Sequence, residues 1–276
     1  MIKHSDLGST GISIWGVPLF DKKFGKRIQI FADEAEKQGN QLIVDFYDME
    51  ETKEAIRLGA KILAHGVSDQ EIDNEFIQLA KENDIIYSPT LLVLRGYLNS
   101  FKSLKKEREI VNPNDVLDKR SKNYLKTSTK HFSFYFPKEN FDEGMIELEK
   151  LVIEKEALMF ANLKKVYDAG ITITVATDAG NTGTFHGISI YDEMEVMQRA
   201  GIPAREIITM ATRNGAMAMR RLDDFGTLEN GKMADLIILN ADPSENISNM
   251  RSITHVMRGG LLRPVNEPFE RVINKK

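Results

Sequence analysis

The sequence predicts an α/β fold in which parallel strands alternate with helices. Three observations carry this reading. Over the first two-thirds of the chain, short β-rich apolar runs alternate with longer stretches whose apolar residues recur at helical spacing. Connections of that size between successive runs mean parallel strands joined by right-handed crossovers. Polar residues close several of the runs: Asp45 with Tyr47, His65, Pro89-Thr90 and Asp178. Strand C-terminal ends are where α/β barrels and doubly wound open sheets both place their ligands, so periodicity alone leaves those two architectures open.

Taken in order, residues 22–39 read as a helix, with Phe24, Ile28, Phe31 and Ala35 on one face and Gly39 closing it. Residues 41–47 are a β-rich run of strand length. A short helix over 50–58 ends at Gly59, and 61–64 is the next strand, leading into His65-Gly66. Asp69 is placed to cap a helix over 70–83, and 85–92 is a further strand. Beyond a charged region, a long helix over about 144–168 carries Met145, Leu148, Val152, Met159, Leu163 and Val166 at helical spacing and stops at Gly170. Residues 171–176 form a buried-type strand ending in Thr177-Asp178-Ala179-Gly180. Helices follow at 189–200 and 203–221, the second opened by Pro203. After residue 224 the texture becomes turn-rich, with strands at 234–240 and 253–260. The expected organisation is an α/β body over 1–224, with a helical insertion at about 98–145, and an appended β segment over 225–276.

Composition narrows the function classes. The 276 residues carry 37 basic and 41 acidic side chains, a net charge of −4. That balance excludes a disordered acidic tail and a whole-chain nucleic-acid binder. No apolar run is long enough to span a membrane. The first residues contain no apolar core of a secretory signal, so the chain as written is expected in the cytoplasm. With no cysteine, disulfides, thiol catalysis and thiolate metal sites drop out, and any metal must be held by His, Asp, Glu or a modified Lys. Gly-rich phosphate loops, a Gly-x-Ser-x-Gly elbow and His-Glu-x-x-His are all missing, which removes nucleotide-binding, serine-hydrolase and zincin readings.

Asp178 is the foremost candidate for chemistry, because a β-branched strand ending in Thr-Asp-Ala-Gly exposes a carboxylate at its mouth. A helix-capping Asp is the alternative. His65 also sits at a strand end and offers a ring nitrogen, against a plain loop histidine. Two such positions on separate strands suit a metal site, whose ligands converge from several strands. Asp45 and Tyr47 are two apart and share one face of their strand. A carboxylate within an apolar strand costs several kcal/mol unless it is paired or bound to a cation, so Asp45 marks either a ligand or an anchor for loop amides. His186 lies in the loop after the Asp178 strand, whereas His131 and His255 read as structural or exposed. Residues 102–130 hold nine basic against four acidic groups, a solvated helix face or an anion-binding or partner surface.

Together these stretches resemble the amidohydrolase superfamily, nearest its imidazolonepropionase and prolidase-like branch. The likeness runs from Gly59-Ala60-Lys61-Ile62-Leu63-Ala64-His65-Gly66, through Thr177-Asp178-Ala179-Gly180 and His186-Gly187, to Ala211-Thr212-Arg213-Asn214-Gly215-Ala216. It continues in Gly226-Thr227-Leu228 and Gly231-Lys232-Met233-Ala234-Asp235-Leu236. The resemblance implies a metal-dependent (β/α)8 TIM-like barrel with a small β-sandwich, which hydrolyses C–N bonds with one or two divalent ions, usually zinc. It further implies His65 as the sixth-strand ligand, Asp178 as the eighth-strand Asp and Lys3 as the bridging lysine. Asp45 stands where a fifth-strand His is expected. Tyr47 aligns with a residue that polarises the substrate carbonyl, and His186 and Thr90 are placed at the substrate pocket. No His-x-His pair occurs. The expectation is therefore an N-terminally truncated member holding about five βα units, the fourth to the eighth. It would act on a small amide, cyclic amide or dipeptide as a homo-oligomer or beside a complementing N-terminal chain. The alternative is an inactive or split-enzyme subunit.

Overall fold

The computed structural model describes residues 8–16, 22–106, 109–111, 114–115, 117–127 and 141–267. Its centre is a five-stranded sheet in the order β1 (Gly11–Trp15), β2 (Gln41–Asp45), β3 (Ile62–Ala64), β4 (Ile86–Ser88), β5 (Thr172–Ile173), every neighbouring pair parallel. Between the strands run α1 (Lys22–Lys37), α2 (Met49–Arg57), α3 (Asn74–Glu82) and, before β5, α4 (Leu92–Ser103), α5 (Lys119–Thr127) and α6 (Phe141–Asp168). After β5 come α7 (Ser189–Arg199) and α8 (Ala204–Thr209), the latter continued by a π-turn over Met210–Asn214 and a short α-turn, α9 (Gly215–Ala218). A three-stranded antiparallel sheet, β6 (Leu236–Leu239), β7 (Ile253–Arg258) and β8 (Leu261–Pro264), follows.

The α/β alternation matches expectation, with informative differences. β1 lies in a stretch whose residues carry no strong strand signal, and it is defined by its ladder to β2, Gly11 to Gln41 through Trp15 to Asp45. Asp73, not Asp69, caps α3, its side chain accepting from Phe76 N. Asp69 instead accepts from Met49 N at 3.0 Å and so helps to open α2, beside that helix's own cap Asp48. The strand expected over 171–176 keeps only two ladder residues, Thr172 and Ile173, both paired to β4.

One apolar core joins the sheet to its helices, with Leu42, Val44, Leu63, Tyr87 and Ile173 from the strands and Ile56, Phe76, Leu163, Val166 and Ile207 from the helices. Asn162 of α6 ties down the segment after β3: Oδ1 accepts from Ile72 N at 2.8 Å, and Nδ2 donates to Val67 O and Gln70 O, both at 3.0 Å. Gly66 is required at the same corner, since a Cβ there would lie 2.9 Å from Tyr87 Oη, which accepts from Val67 N. The segment after His65 is thereby fixed from two sides. The C-terminal sheet is tethered to the body through Arg251, whose guanidinium donates to Glu195 at 2.7 Å, pairs with Asp192 and lies over the Tyr191 ring.

Candidate active site

The C-terminal ends of β1, β2, β3 and the segment after β5 open onto one cavity of about 1050 Å³, lined among others by Trp15, Asp45, Tyr47, His65 and Asp178. Parallel strands make this convergence inevitable: in register, Trp15, Asp45, Ala64 and Ser88 stand at one level, and the next residues turn outward.

His65 is the centre of the arrangement. Its backbone N donates to Ser88 O at 2.9 Å, its Nε2 lies 3.3 Å from Asp45 Oδ2, and its Nδ1 lies 2.5 Å from Thr90 Oγ1. Tyr47 stacks on the imidazole, ring centroids 4.7 Å apart and planes 17° apart. Partial burial, then the charges of Asp45 and Asp178, push the Tyr47 phenol up to about 12. Tyr47 is therefore a hydrogen-bond donor throughout the neutral range. Asp178 lines the same cavity, its Oδ2 accepting from Asn181 Nδ2 at 2.8 Å. Asn181 Oδ1 in turn accepts from Tyr97 Oη at 2.8 Å and from Thr182 N at 2.7 Å.

His65, Thr90 and Asp178 adopt left-handed backbone, with φ of 76°, 45° and 49°. Each costs a non-glycine residue about 1–3 kcal/mol, and such strain gathers where a site over-determines its residues. Half of the six non-glycine residues with positive φ among those described belong to this one cluster.

Asp45, Tyr47, His65 and Asp178 are brought together as the sequence suggested. His186 lines an adjoining cavity of about 310 Å³ with Arg120 and Tyr124, and Asn181 borders both cavities. Thr90 does not line either cavity: it is buried behind His65, with its hydroxyl on the ring. Lys3 lies outside the described residues, and the strand parallel to β2 is Gly11–Trp15, which carries no lysine. Sequence reasoning missed Asn181 and Tyr97, whose roles rest on a contact across 84 positions. The Gly180-Asn181-Thr182-Gly183 turn was the one local signal.

A sheet whose strands deliver carboxylates, an imidazole and a phenol to one mouth defines an α/β protein built for polar chemistry. The chain belongs to the amidohydrolase family, whose model matches residues 26–262. It is 32% identical over 110 residues to the imidazolonepropionase of Bacteroides thetaiotaomicron, covering 39% of this chain and 26% of that protein. Its fold is similar to that of a putative prolidase from Bifidobacterium longum (TM-score 0.67, 20% identity), over 97% of this chain and 60% of the other. It is also similar to a Xaa-Pro dipeptidase with bound methionine in the active site (TM-score 0.64, 24% identity), over 93% and 55%. The match thus spans about a quarter of the curated relative's length and little more than half of the solved chains.

Family members generally use a divalent metal. Here His65 Nε2 lies 3.3 Å from Asp45 Oδ2, and Asp178 lines the same cavity. Among the described residues no three His, Asp or Glu side chains converge closely enough to hold an ion. These residues by themselves do not complete a metal site.

Proposed function

We propose that this chain supplies the C-terminal part of an amidohydrolase active site that cleaves C–N bonds in small amides, cyclic amides or dipeptides. The observation that carries the reading is the meeting of Asp45, Tyr47, His65 and Asp178 at the strand mouths of an amidohydrolase-family sheet. Asp178 would accept the proton of the attacking water and return it to the leaving amine. Its Oδ2 accepts from Asn181, which holds the carboxylate at the cavity wall. Tyr47 would donate to the carbonyl oxygen as negative charge develops there, and His186 would border the substrate beyond Asn181. His65, Asp45 and Asp178 would be the described residues' contribution to a zinc site, and the remaining donors would come from outside them, as from a partner chain carrying a His-x-His pair. Among the described residues the five-stranded sheet does not close and the donor set is incomplete, which favours a site completed from outside these residues.

Equilibrium zinc binding by the purified chain, beside Asp178→Asn and His65→Asn, tests the reading. Weakening of at least about tenfold in both variants is expected. Equal binding in all three overturns the assignment of these ligands. Hydrolysis of a dipeptide and cyclic-amide panel by the chain reconstituted with a His-x-His-bearing partner, abolished by Asp178→Asn, is the accompanying activity measurement.

A further inference from the structure

We propose that Glu193 is a positioning residue of this site, which fixes the His65 imidazole by holding the turn that carries Thr90. The inference rests on His65 being a site residue, as proposed above, and not on turnover.

Glu193 points from α7 into the core and is fully buried. Its Oε1 accepts from Leu91 N at 2.7 Å and its Oε2 from Leu92 N at 2.9 Å. These amides open α4, a helix with no side-chain cap from its own sequence. Glu193 therefore caps a helix about a hundred positions away in the chain. A serine or aspartate at the helix's own start would reach the amides of Val93 or Leu94, whereas Glu193 takes those of Leu91 and Leu92, directly beside Thr90.

What the carboxyl holds in addition is the residue just before those amides. Thr90 has φ 45°, a left-handed conformation that a β-branched residue adopts only under constraint. Its hydroxyl sits 2.5 Å from His65 Nδ1, and the other ring nitrogen meets Asp45. An unbroken series of contacts runs from Glu193 through the Leu91 and Leu92 amides to Thr90, His65 and Asp45. The partner of one imidazole nitrogen decides which nitrogen carries the proton, so the pose of Thr90 sets what His65 offers to the cavity. On its far side α7 is gripped by Arg251 through Asp192 and Glu195, the residues flanking Glu193 in sequence by one and two positions. Burial pushes the Glu193 carboxyl up to about 8 against the pull of the two amides, which marks how little solvent reaches it.

The test uses the full chain labelled with ¹⁵N-histidine, the His65 signals being identified by their loss in His65→Asn. Glu193→Gln preserves volume and is the main variant. Thr90→Val removes the hydroxyl, and Met197→Ala loosens the buried face of the same helix without touching the carboxyl. The expected result is a shift of the His65 Nδ1 resonance in Glu193→Gln, in the same direction as in Thr90→Val, with no further shift in the double variant. Met197→Ala should lower the melting temperature and leave that resonance in place. The proposal is overturned if Glu193→Gln leaves His65 at its wild-type position, or if Met197→Ala moves it equally. The readout needs no substrate, so a reconstituted assembly without hydrolytic activity would refute the proposed function and leave this result standing.

Discussion

Tyr47 lying flat on His65, and Asp178 held by Asn181, illustrate how much of the site depends on single side chains meeting across long sequence separations. Asp45, His65 and Asp178 were legible because each ends an apolar run, a position where a polar residue needs a reason. Thr90 was legible as a site residue but not as the one that stands behind His65, since a strand-end threonine gives no sign of which way its hydroxyl turns. Glu193 was invisible: within an amphipathic helix rich in acids it resembles any solvated glutamate, and only tertiary packing buries it. Its burial has a measurable consequence. The group's affinity for a proton is raised from 4.5 in the unfolded chain to about 8 in the fold, so between those values the native state holds a proton that the unfolded state has released. Stability should therefore fall as pH rises across that window, by up to about 1.4 kcal/mol per pH unit. It should be fully present only below 4.5. Urea denaturation across the window should show this slope, flattened in Glu193→Gln; an identical slope in both proteins would contradict it.

At the scale of elements, helices were read well because apolar faces are local, as at α1 and α6, although the cap of α3 is Asp73 rather than the expected Asp69, whereas strands were read only where a neighbour did not decide them. β1 has five residues and acquires its identity from β2. β5 is shorter than expected, although Thr174 N still donates to Tyr87 O after the ladder ends. The helix expected over 203–221 is interrupted by a π-turn, and Asn214 at its end donates to Ile173 O, trading helical regularity for a link to β5. Asn162 shows the energetic weight of such links. Asn162→Ala would leave one buried amide and two carbonyls of the segment after β3 without their side-chain partner. A loss of about 2–3 kcal/mol is expected, read as a lowered urea midpoint with an unchanged slope. Because that segment follows His65, the variant should also raise hydrogen exchange at Val67 and Ile72 before the rest of the sheet is affected.

For the whole molecule, four of the five parallel strands, most of the helices and two strands of the small C-terminal sheet were expected from the sequence, and the family likeness named their common plan. What no local pattern conveyed is how the two sheets are joined. Arg251 bridges them through Asp192 and Glu195 on the very helix that carries Glu193, so the appended segment and the site share a support. The sheet ends on one side at β1, whose outer backbone groups face no further strand among the described residues. The chain's single tryptophan, Trp15, stands at the end of that edge, three-quarters exposed and bordering the large cavity. The molecule thus carries its own optical reporter at one of the two sheet edges where another strand could add. In the isolated chain Trp15 emission should be that of a hydrated indole and open to quenching by iodide. Any polypeptide that extends the sheet past β1 should move the emission to the blue and shield it, and a spectrum unchanged by a strand-adding partner would show that the partner binds elsewhere.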